Sequence, residues 1–129
     1  MTIERKVIRT DAAPAAVGPY SQAILSGDFL YSAGQIPLDP ATGKLVEGDI
    51  AVQTQRVLDN LAAVLAAADM SWGEVVKMTV FLADMNDFKA VNEVYATVFG
   101  DAPPARSAVE VARLPLDARV EMEMVARKR

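Results

Sequence analysis

The order of apolar and polar positions predicts a chain that mixes strands with two helices. Between residues 50 and 68, apolar side chains recur every three or four positions, and residues 86–100 follow the same helical spacing. Strand patterns occur at 3–10, on either side of the turn Ser26-Gly27-Asp28, and at 74–83, 105–112 and 118–126. The resulting order, β-β-β-α-β-α-β-β, indicates an α+β fold in which both helices cover one face of a mixed sheet.

Polar residues at the start of each helical segment are suited to cap it. Asp49 precedes the first segment and Asn86 the second, and both side chains can accept a hydrogen bond from a free backbone N–H. The stretch 36–49 before the first helix is rich in turn residues, including Pro40 and Gly43. We expect it to be an exposed loop.

Strand parity predicts the face that each side chain of the last two strands occupies. Successive side chains point to opposite faces, so an apolar set opposes Glu121 in the last strand and Arg106 in the strand before it. The apolar sets are Val120, Met122 and Met124 in the last strand, and Val109 and Val111 in the other. If these sets meet the helices, Arg106 and Glu121 share the face without helices.

The helix-free face is predicted to carry aromatic rings, with contributions from Tyr20, Phe29, Tyr31 and Phe81. A sheet face of this kind is normally covered rather than left in water. We therefore predict a homo-oligomer that buries this face, with Arg106 and Glu121 at or near the subunit contacts.

Bulk properties narrow the class of protein. The 129 residues, 52% hydrophobic and 23% charged, fit a single domain spanning 1–129. No apolar run approaches the length of a membrane span and no secretion signal is visible, so we expect a cytoplasmic protein without membrane contact. The net charge of −4 and the 6% aromatic content argue against nucleic acid as a partner.

The chain contains no cysteine and no histidine. This excludes disulfides, thiol nucleophiles, histidine bases and the common nitrogen and sulfur metal ligands. We expect neither a metal nor a cofactor. Any catalysis must use Arg, Glu, Tyr, Ser, Asn, backbone groups and water.

Arg106, Glu121 and Tyr20 are the residues best suited to chemistry. An arginine fork can bind both oxygens of a carboxylate, a glutamate can activate water, and a tyrosine can donate a directional hydrogen bond. Together they describe a site for a small carboxylate substrate and a hydrolytic water. The alternative is that Arg106 and Glu121 form an ion pair that stabilises a subunit contact, and spacing alone leaves both open.

Four segments resemble the Rid family, the reactive enamine and imine deaminases that are also called YjgF or L-PSP endoribonuclease-like proteins. The resemblance runs from about Ala12 to Ala126 with the motifs in order. The segments are APAAVGPYSQAI, SAGQIPLDPATG, MTVFLADMNDFKAVNEVYATVF and PPARSAVEVARLPLDARVEMEM.

The resemblance implies a chorismate-mutase-like fold and a homotrimer whose ligand clefts lie between neighbouring subunits. It also implies that Arg106 binds the substrate carboxylate, that Glu121 holds the attacking water and that Tyr20 lines the pocket. Gly34 would supply backbone at the ligand, and Asn92 would be a further pocket residue.

The chain departs from the family pattern at Ala33, where a serine is common, and at Ala108, where a cysteine is common. The resemblance implies hydrolysis of 2-imino or 2-enamino acids, of the 2-iminobutanoate and 2-iminopropanoate type, to 2-keto acids and ammonia. The two departures favour an alternative, a non-catalytic or regulatory trimer that binds small carboxylates. A third reading, ribonuclease or translation inhibitor, conflicts with the acidic charge and the absence of histidine.

Overall fold

The structure, a computed structural model, describes residues 4–129, which form one six-stranded mixed sheet and two α-helices. The elements are β1 Arg5–Ile8, β2 Ala23–Ser26, β3 Phe29–Ser32, α1 Ile50–Ala67, β4 Val75–Leu82, α2 Phe88–Phe99, β5 Ala105–Glu110 and β6 Val120–Arg127. The α+β class and the order of elements predicted from the sequence are confirmed. Ile3, in the first predicted strand, lies outside the described residues.

The sheet has the strand order β1-β2-β3-β6-β4-β5. All neighbouring pairs are antiparallel except β4 and β5, which run parallel. Parallel neighbours need a crossover connection, and α2 supplies it. Strands β3 and β4 both run antiparallel to β6, so α1 makes a similar crossover between them. In this topology β5 ends the sheet as a free edge.

The two predicted helix caps have different outcomes. The carboxylate of Asp49 accepts a hydrogen bond from the N–H of Val52 at 3.0 Å, which confirms it as the N-cap of α1. The prediction for Asn86 is wrong, because α2 begins only at Phe88 and Asn86 lies in a preceding 3₁₀ turn. There Asp84 is the capping residue and accepts from the N–H of Asn86 at 2.9 Å. Neither helix in the described range has the length and apolarity of a membrane span.

The two faces of the sheet differ in their cover. Both helices pack on one face, whose central side chains are at most 2% exposed: Met78, Val80, Leu82, Val120, Met122 and Met124. The opposite face, here called the open face, is formed by Val7, Ile24, Phe29, Tyr31, Lys77, Thr79, Phe81, Val109, Glu121, Glu123 and Val125. Four of its large apolar side chains are 38% to 52% exposed: Val7, Phe29, Tyr31 and Val109.

The predicted orientation of β5 is wrong. Arg106 is paired with the fully buried Met78 and therefore lies on the helix face, whereas Val109 is paired with Phe81 on the open face. The reason is that β5 is an edge strand whose residues stay partly exposed on both faces, so its alternation does not identify the core side. The predicted position of Glu121 on the open face is confirmed by its pairing with Phe81.

Replacing Asp49 with Ala should lower the free energy of unfolding by about 1 kcal/mol, because the N–H of Val52 loses its acceptor. Asp49→Asn keeps a side-chain oxygen and should lose much less. Glu47→Ala, at an exposed position just before the helix, is the matched control. The measurement is urea denaturation followed by circular dichroism, and wild-type stability of Asp49→Ala would contradict the role of this cap.

Candidate active site

Arg106 lies at the free edge of the sheet with its guanidinium against the side of α2. The guanidinium carbon is 4.7 Å from the centroid of the Tyr95 ring and 5.3 Å from that of Phe88. Its Nη1 donates a hydrogen bond to Oδ1 of Asn92 at 2.8 Å. Phe88, Asn92 and Tyr95 are four and three residues apart, so they form one stripe along the helix. Because the ring faces attract cations, this stripe holds the guanidinium in place.

Most of the donors on Arg106 remain free for a ligand. A guanidinium has five N–H donors, and within residues 4–129 Arg106 hydrogen-bonds only to Asn92 and pairs with no carboxylate. A planar fork with free donors can bind both oxygens of a carboxylate. A cavity of about 440 Å³ adjoins it, lined by Asn92, Tyr95, Ala96, Phe99, Gly100, Pro103, Pro104 and Arg106. The edge of the sheet can therefore hold a small carboxylate.

The backbone of β5 adds hydrogen-bonding groups beside the guanidinium. The N–H of Val111 donates to the carbonyl of Leu82 at 2.9 Å, which directs this backbone unit towards β4. Backbone direction alternates along a strand, so the N–H and C=O groups of Arg106 and Ala108 point to the free edge. The side chain of Ala108 packs against the core. Its carbonyl can accept a hydrogen bond from a ligand near Arg106.

Glu121 lies on the open face against Gly34. A Cβ added to Gly34 would stand 2.8 Å from the carboxyl carbon of Glu121, so only glycine permits this approach. Burial raises the pKa of the Glu121 carboxyl, and the negative charge of Glu123 raises it further. A carboxylate with a raised pKa is a better proton acceptor than an ordinary one. Glu121 accepts no hydrogen bond from residues 4–129. No acidic cluster in that range could hold a metal ion.

Backbone hydrogen bonds hold the segment that places Gly34 beside Glu121. Gln35 forms a two-way bridge with Met122, donating at 2.8 Å and accepting at 3.1 Å. On the other side, the N–H of Ala33 donates to the carbonyl of Gln22 at 2.9 Å. Ala33 offers no side-chain hydroxyl. The segment can therefore contribute backbone groups and the space above a glycine, but no polar side chain at position 33.

Tyr20 lies in the loop before β2, with 52% of its surface exposed. Its hydroxyl accepts a hydrogen bond from the N–H of Val17 at 3.3 Å. The loop is held by Gln22, which is 3% exposed and donates to the carbonyls of Thr10 and Pro14 at 3.0 Å and 2.8 Å. Its Oε1 accepts from the N–H of Thr10 at 2.7 Å. Gln22 thus positions the loop that carries the tyrosine.

The predicted site residues fall into three separate places within one chain. Arg106, Asn92 and Ala108 are together at the β5 edge. Glu121 lies on the opposite face of the sheet, two strands away in the order β6-β4-β5. Tyr20 belongs to the loop between β1 and β2, at the other end of the sheet. The prediction that Arg106 and Glu121 share one face is therefore wrong, because Arg106 lies on the helix face and Glu121 on the open face.

Three residues that support the site have a role that sequence reasoning did not identify. Phe88 and Tyr95 lie within the predicted second helix, but no site role is predicted from the sequence for either of them, or for Gln22. The spacing of Phe88, Asn92 and Tyr95 is visible in the sequence, but their contact with Arg106 depends on the crossover. No sequence signal separates the buried Gln22 from an exposed glutamine.

Comparison with known proteins places this arrangement in a family. The family model described as endoribonuclease L-PSP matches residues 10–128. A RutC family protein of Pyrococcus horikoshii is 56% identical over 124 residues, covering 96% of this chain and 98% of its own. The 2-iminobutanoate/2-iminopropanoate deaminase of Mus musculus is 50% identical over 125 residues, covering 97% of this chain and 93% of its own.

A solved structure extends the likeness to three dimensions. TdcF of E. coli, solved with bound serine, superposes with a TM-score of 0.91 at 42% sequence identity, covering 96% of this chain and 99% of that one. The shared sequence extends over nearly the whole chain, and the shared fold includes the strands and helix that carry Arg106, Asn92 and Glu121. The chain therefore belongs to the Rid/YjgF family, whose family model carries the description endoribonuclease L-PSP.

Proposed function

We propose that the protein hydrolyses 2-imino and 2-enamino acids, of the 2-iminobutanoate and 2-iminopropanoate type, to 2-keto acids and ammonia. The observation that carries this proposal is the guanidinium of Arg106, which is held in place while most of its donors remain free. The 50% identity to a mouse deaminase of that substrate class supports the reaction. The serine bound to TdcF supports a ligand of amino-acid size.

We further propose that the protein works as a homotrimer with its sites between neighbouring subunits. Arg106 and Glu121 lie on opposite faces of one sheet, so a site that uses both needs a second copy. The exposed apolar side chains of the open face support such contacts, because a soluble monomer rarely leaves a patch of this kind in water. A neighbour packed along the β5 edge would present its own Glu121 to Arg106.

Substrate binding follows from the groups at the edge. Arg106 takes the substrate carboxylate in its fork, and Asn92 keeps the fork oriented. The outward carbonyl of Ala108 accepts the N–H of the imine, which places the C=N bond beside the carboxylate anchor. Tyr20 and the backbone at Ala33 and Gly34 complete the pocket. The site relies on backbone at position 33, where the family pattern has a hydroxyl.

In the chemical step, Glu121 holds a water molecule against carbon 2 of the bound imine. The water oxygen attacks that carbon, the C=N electron pair moves to nitrogen, and Glu121 passes a proton from the water to the nitrogen. Glu121 then takes the hydroxyl proton of the resulting carbinolamine and passes it to nitrogen, so that the C–N bond breaks, the oxygen forms C=O, and ammonia and the 2-keto acid leave. Enamino acids enter after carbon 3 gains a proton and nitrogen loses one, which gives the imine. Uncatalysed imine hydrolysis is fast, so positioning the two reactants can supply the rate enhancement.

Replacing Arg106 with Ala should reduce kcat/KM for 2-iminobutanoate about a hundredfold or more, because a charge-assisted double hydrogen bond to the carboxylate is lost. Arg106→Lys keeps the charge without the fork, so its kcat/KM should lie between those of the wild type and Arg106→Ala. Release of 2-oxobutanoate from freshly generated imine measures the effect. The matched control is Arg56→Ala on α1, where the arginine hydrogen-bonds, among residues 4–129, only to Asn60 on its own helix. Wild-type turnover by Arg106→Ala would refute the proposal.

The pH dependence of kcat/KM should reflect the ionisation of the Glu121 carboxyl. The carboxyl must be ionised to accept a proton, so kcat/KM should fall as the pH drops through a pKa that lies above the usual glutamate value. Glu121→Gln should lose activity by a factor on the order of a hundred. Glu123→Gln removes the neighbouring negative charge, so the acidic limb should move to lower pH. An unchanged limb in Glu123→Gln would show that another group controls it.

The assembly can be tested by mass. Sedimentation equilibrium of the wild type should give three times the 13.8 kDa chain. Val109→Asp puts a charge on the open face and should yield smaller species. The matched control is Val52→Asp, a valine of similar exposure on α1 that should leave the trimer intact. A wild type that sediments as a monomer would exclude sites shared between subunits.

A further inference from the structure

We infer that Tyr95 is a positioning residue for Arg106, with the face of its ring holding the guanidinium in the orientation that grips a ligand carboxylate. The inference rests on the proposed function in one respect, the assumption that the ligand of Arg106 is a carboxylate. Tyr95 forms part of the wall of the adjoining cavity, and its role in binding is to orient Arg106.

The Tyr95 ring is a fixed surface. It is 6% exposed and lies 4.7 Å from the ring centroid of Phe99, which in turn packs edge-on against Trp72 at 5.1 Å. The guanidinium of Arg106 rests on the other end of this aromatic series, also 4.7 Å from the Tyr95 centroid. The packed Tyr95 ring therefore gives the guanidinium a fixed contact surface at the edge of the sheet.

A second restraint is needed because the hydrogen bond from Arg106 to Asn92 fixes only one end of the guanidinium. That bond uses Nη1, and the planar group can still swing about it. The Tyr95 ring face limits this motion and sets the plane of the fork. Ordering a long arginine side chain before binding reduces the entropy that the ligand must otherwise overcome. The expected consequence is tighter carboxylate binding.

The ring face, rather than the hydroxyl, performs this role. The Tyr95 hydroxyl is buried and has no hydrogen-bond partner among the described residues. Burial raises the pKa of Tyr95, although the charge of Arg106 partly opposes this, so the group stays neutral. A phenylalanine would offer a similar face to the cation. The two substitutions Tyr95→Phe and Tyr95→Leu therefore separate the ring from the hydroxyl.

The test uses pyruvate, with its uncharged amide as a control ligand, and calorimetry on the assembled wild-type protein and its variants. Tyr95→Leu should weaken pyruvate binding about tenfold, the factor that a shielded cation–ring contact contributes. It should raise KM for the imine similarly while kcat changes little. Tyr95→Phe should stay within about twofold of wild type, because it keeps the ring face. The affinity for the amide should be the same in the wild type, Tyr95→Leu and Tyr95→Phe.

Trp72→Leu is the matched control, since it removes a ring from the same series but contacts neither Arg106 nor the adjoining cavity. It should lose stability as Tyr95→Leu does and keep the affinity for pyruvate. Equal weakening of pyruvate binding in Trp72→Leu, or in Tyr95→Phe, would overturn the inference, as would wild-type affinity in Tyr95→Leu. If Tyr95→Leu fails to fold, the test uses Phe88→Leu, which removes the second ring at Arg106 and must weaken the binding of pyruvate.

The binding test separates this inference from the proposed function. A wild type that binds pyruvate but does not accelerate imine hydrolysis would refute the deaminase proposal. The role of Tyr95 would then still be decided by the pyruvate affinities of the variants. A wild type that does not bind pyruvate would overturn the inference, because Arg106 would then grip no carboxylate of this kind.

Discussion

Because β4 and β5 run parallel, the chain must return along the sheet between them, and α2 makes that return. The crossover lays the stripe of Phe88, Asn92 and Tyr95 beside the edge strand at Arg106. Without it, an arginine on an edge strand would be a mobile surface side chain. The parallel pair thus creates both the free edge, with its outward backbone groups, and the surface that orients the cation.

The sheet also divides the candidate site. Arg106 points to the helix face and Glu121 to the open face, with β4 between their strands. Asn92 and Tyr95 hold Arg106 on the helix face, and Glu121 lies two strands away on the other face, so the two side chains of one chain stay apart. Under the proposed function, the quaternary structure is therefore part of the chemistry, because only a second chain can add the carboxylate that holds the water. The exposed apolar open face would then be an interface that serves catalysis as well as stability.

Much of the fold could be predicted from the sequence, because α1 has a continuous apolar stripe and a cap at Asp49, and β6 alternates clearly. The face of Arg106 could not be predicted, since an edge strand is partly exposed on both sides and its alternation does not mark the core. The prediction of Asn86 as a helix cap is wrong for a local reason, because a 3₁₀ turn precedes the helix and moves its start to Phe88. The contact between Tyr95 and Arg106 depends on tertiary structure, and no period within either element encodes it.

The two departures from the family pattern have different physical consequences. At Ala108 the side chain packs towards the core while the backbone carbonyl points to the free edge, so a smaller side chain leaves the outward acceptor in place. At Ala33 the backbone N–H is already bonded to the carbonyl of Gln22, and the side chain offers no hydroxyl beside Gly34. Removing one hydrogen bond to a charged ligand costs about 1.5–3 kcal/mol. Under the proposed function, a difference in substrate preference from relatives with the common serine should therefore arise at position 33 rather than at 108.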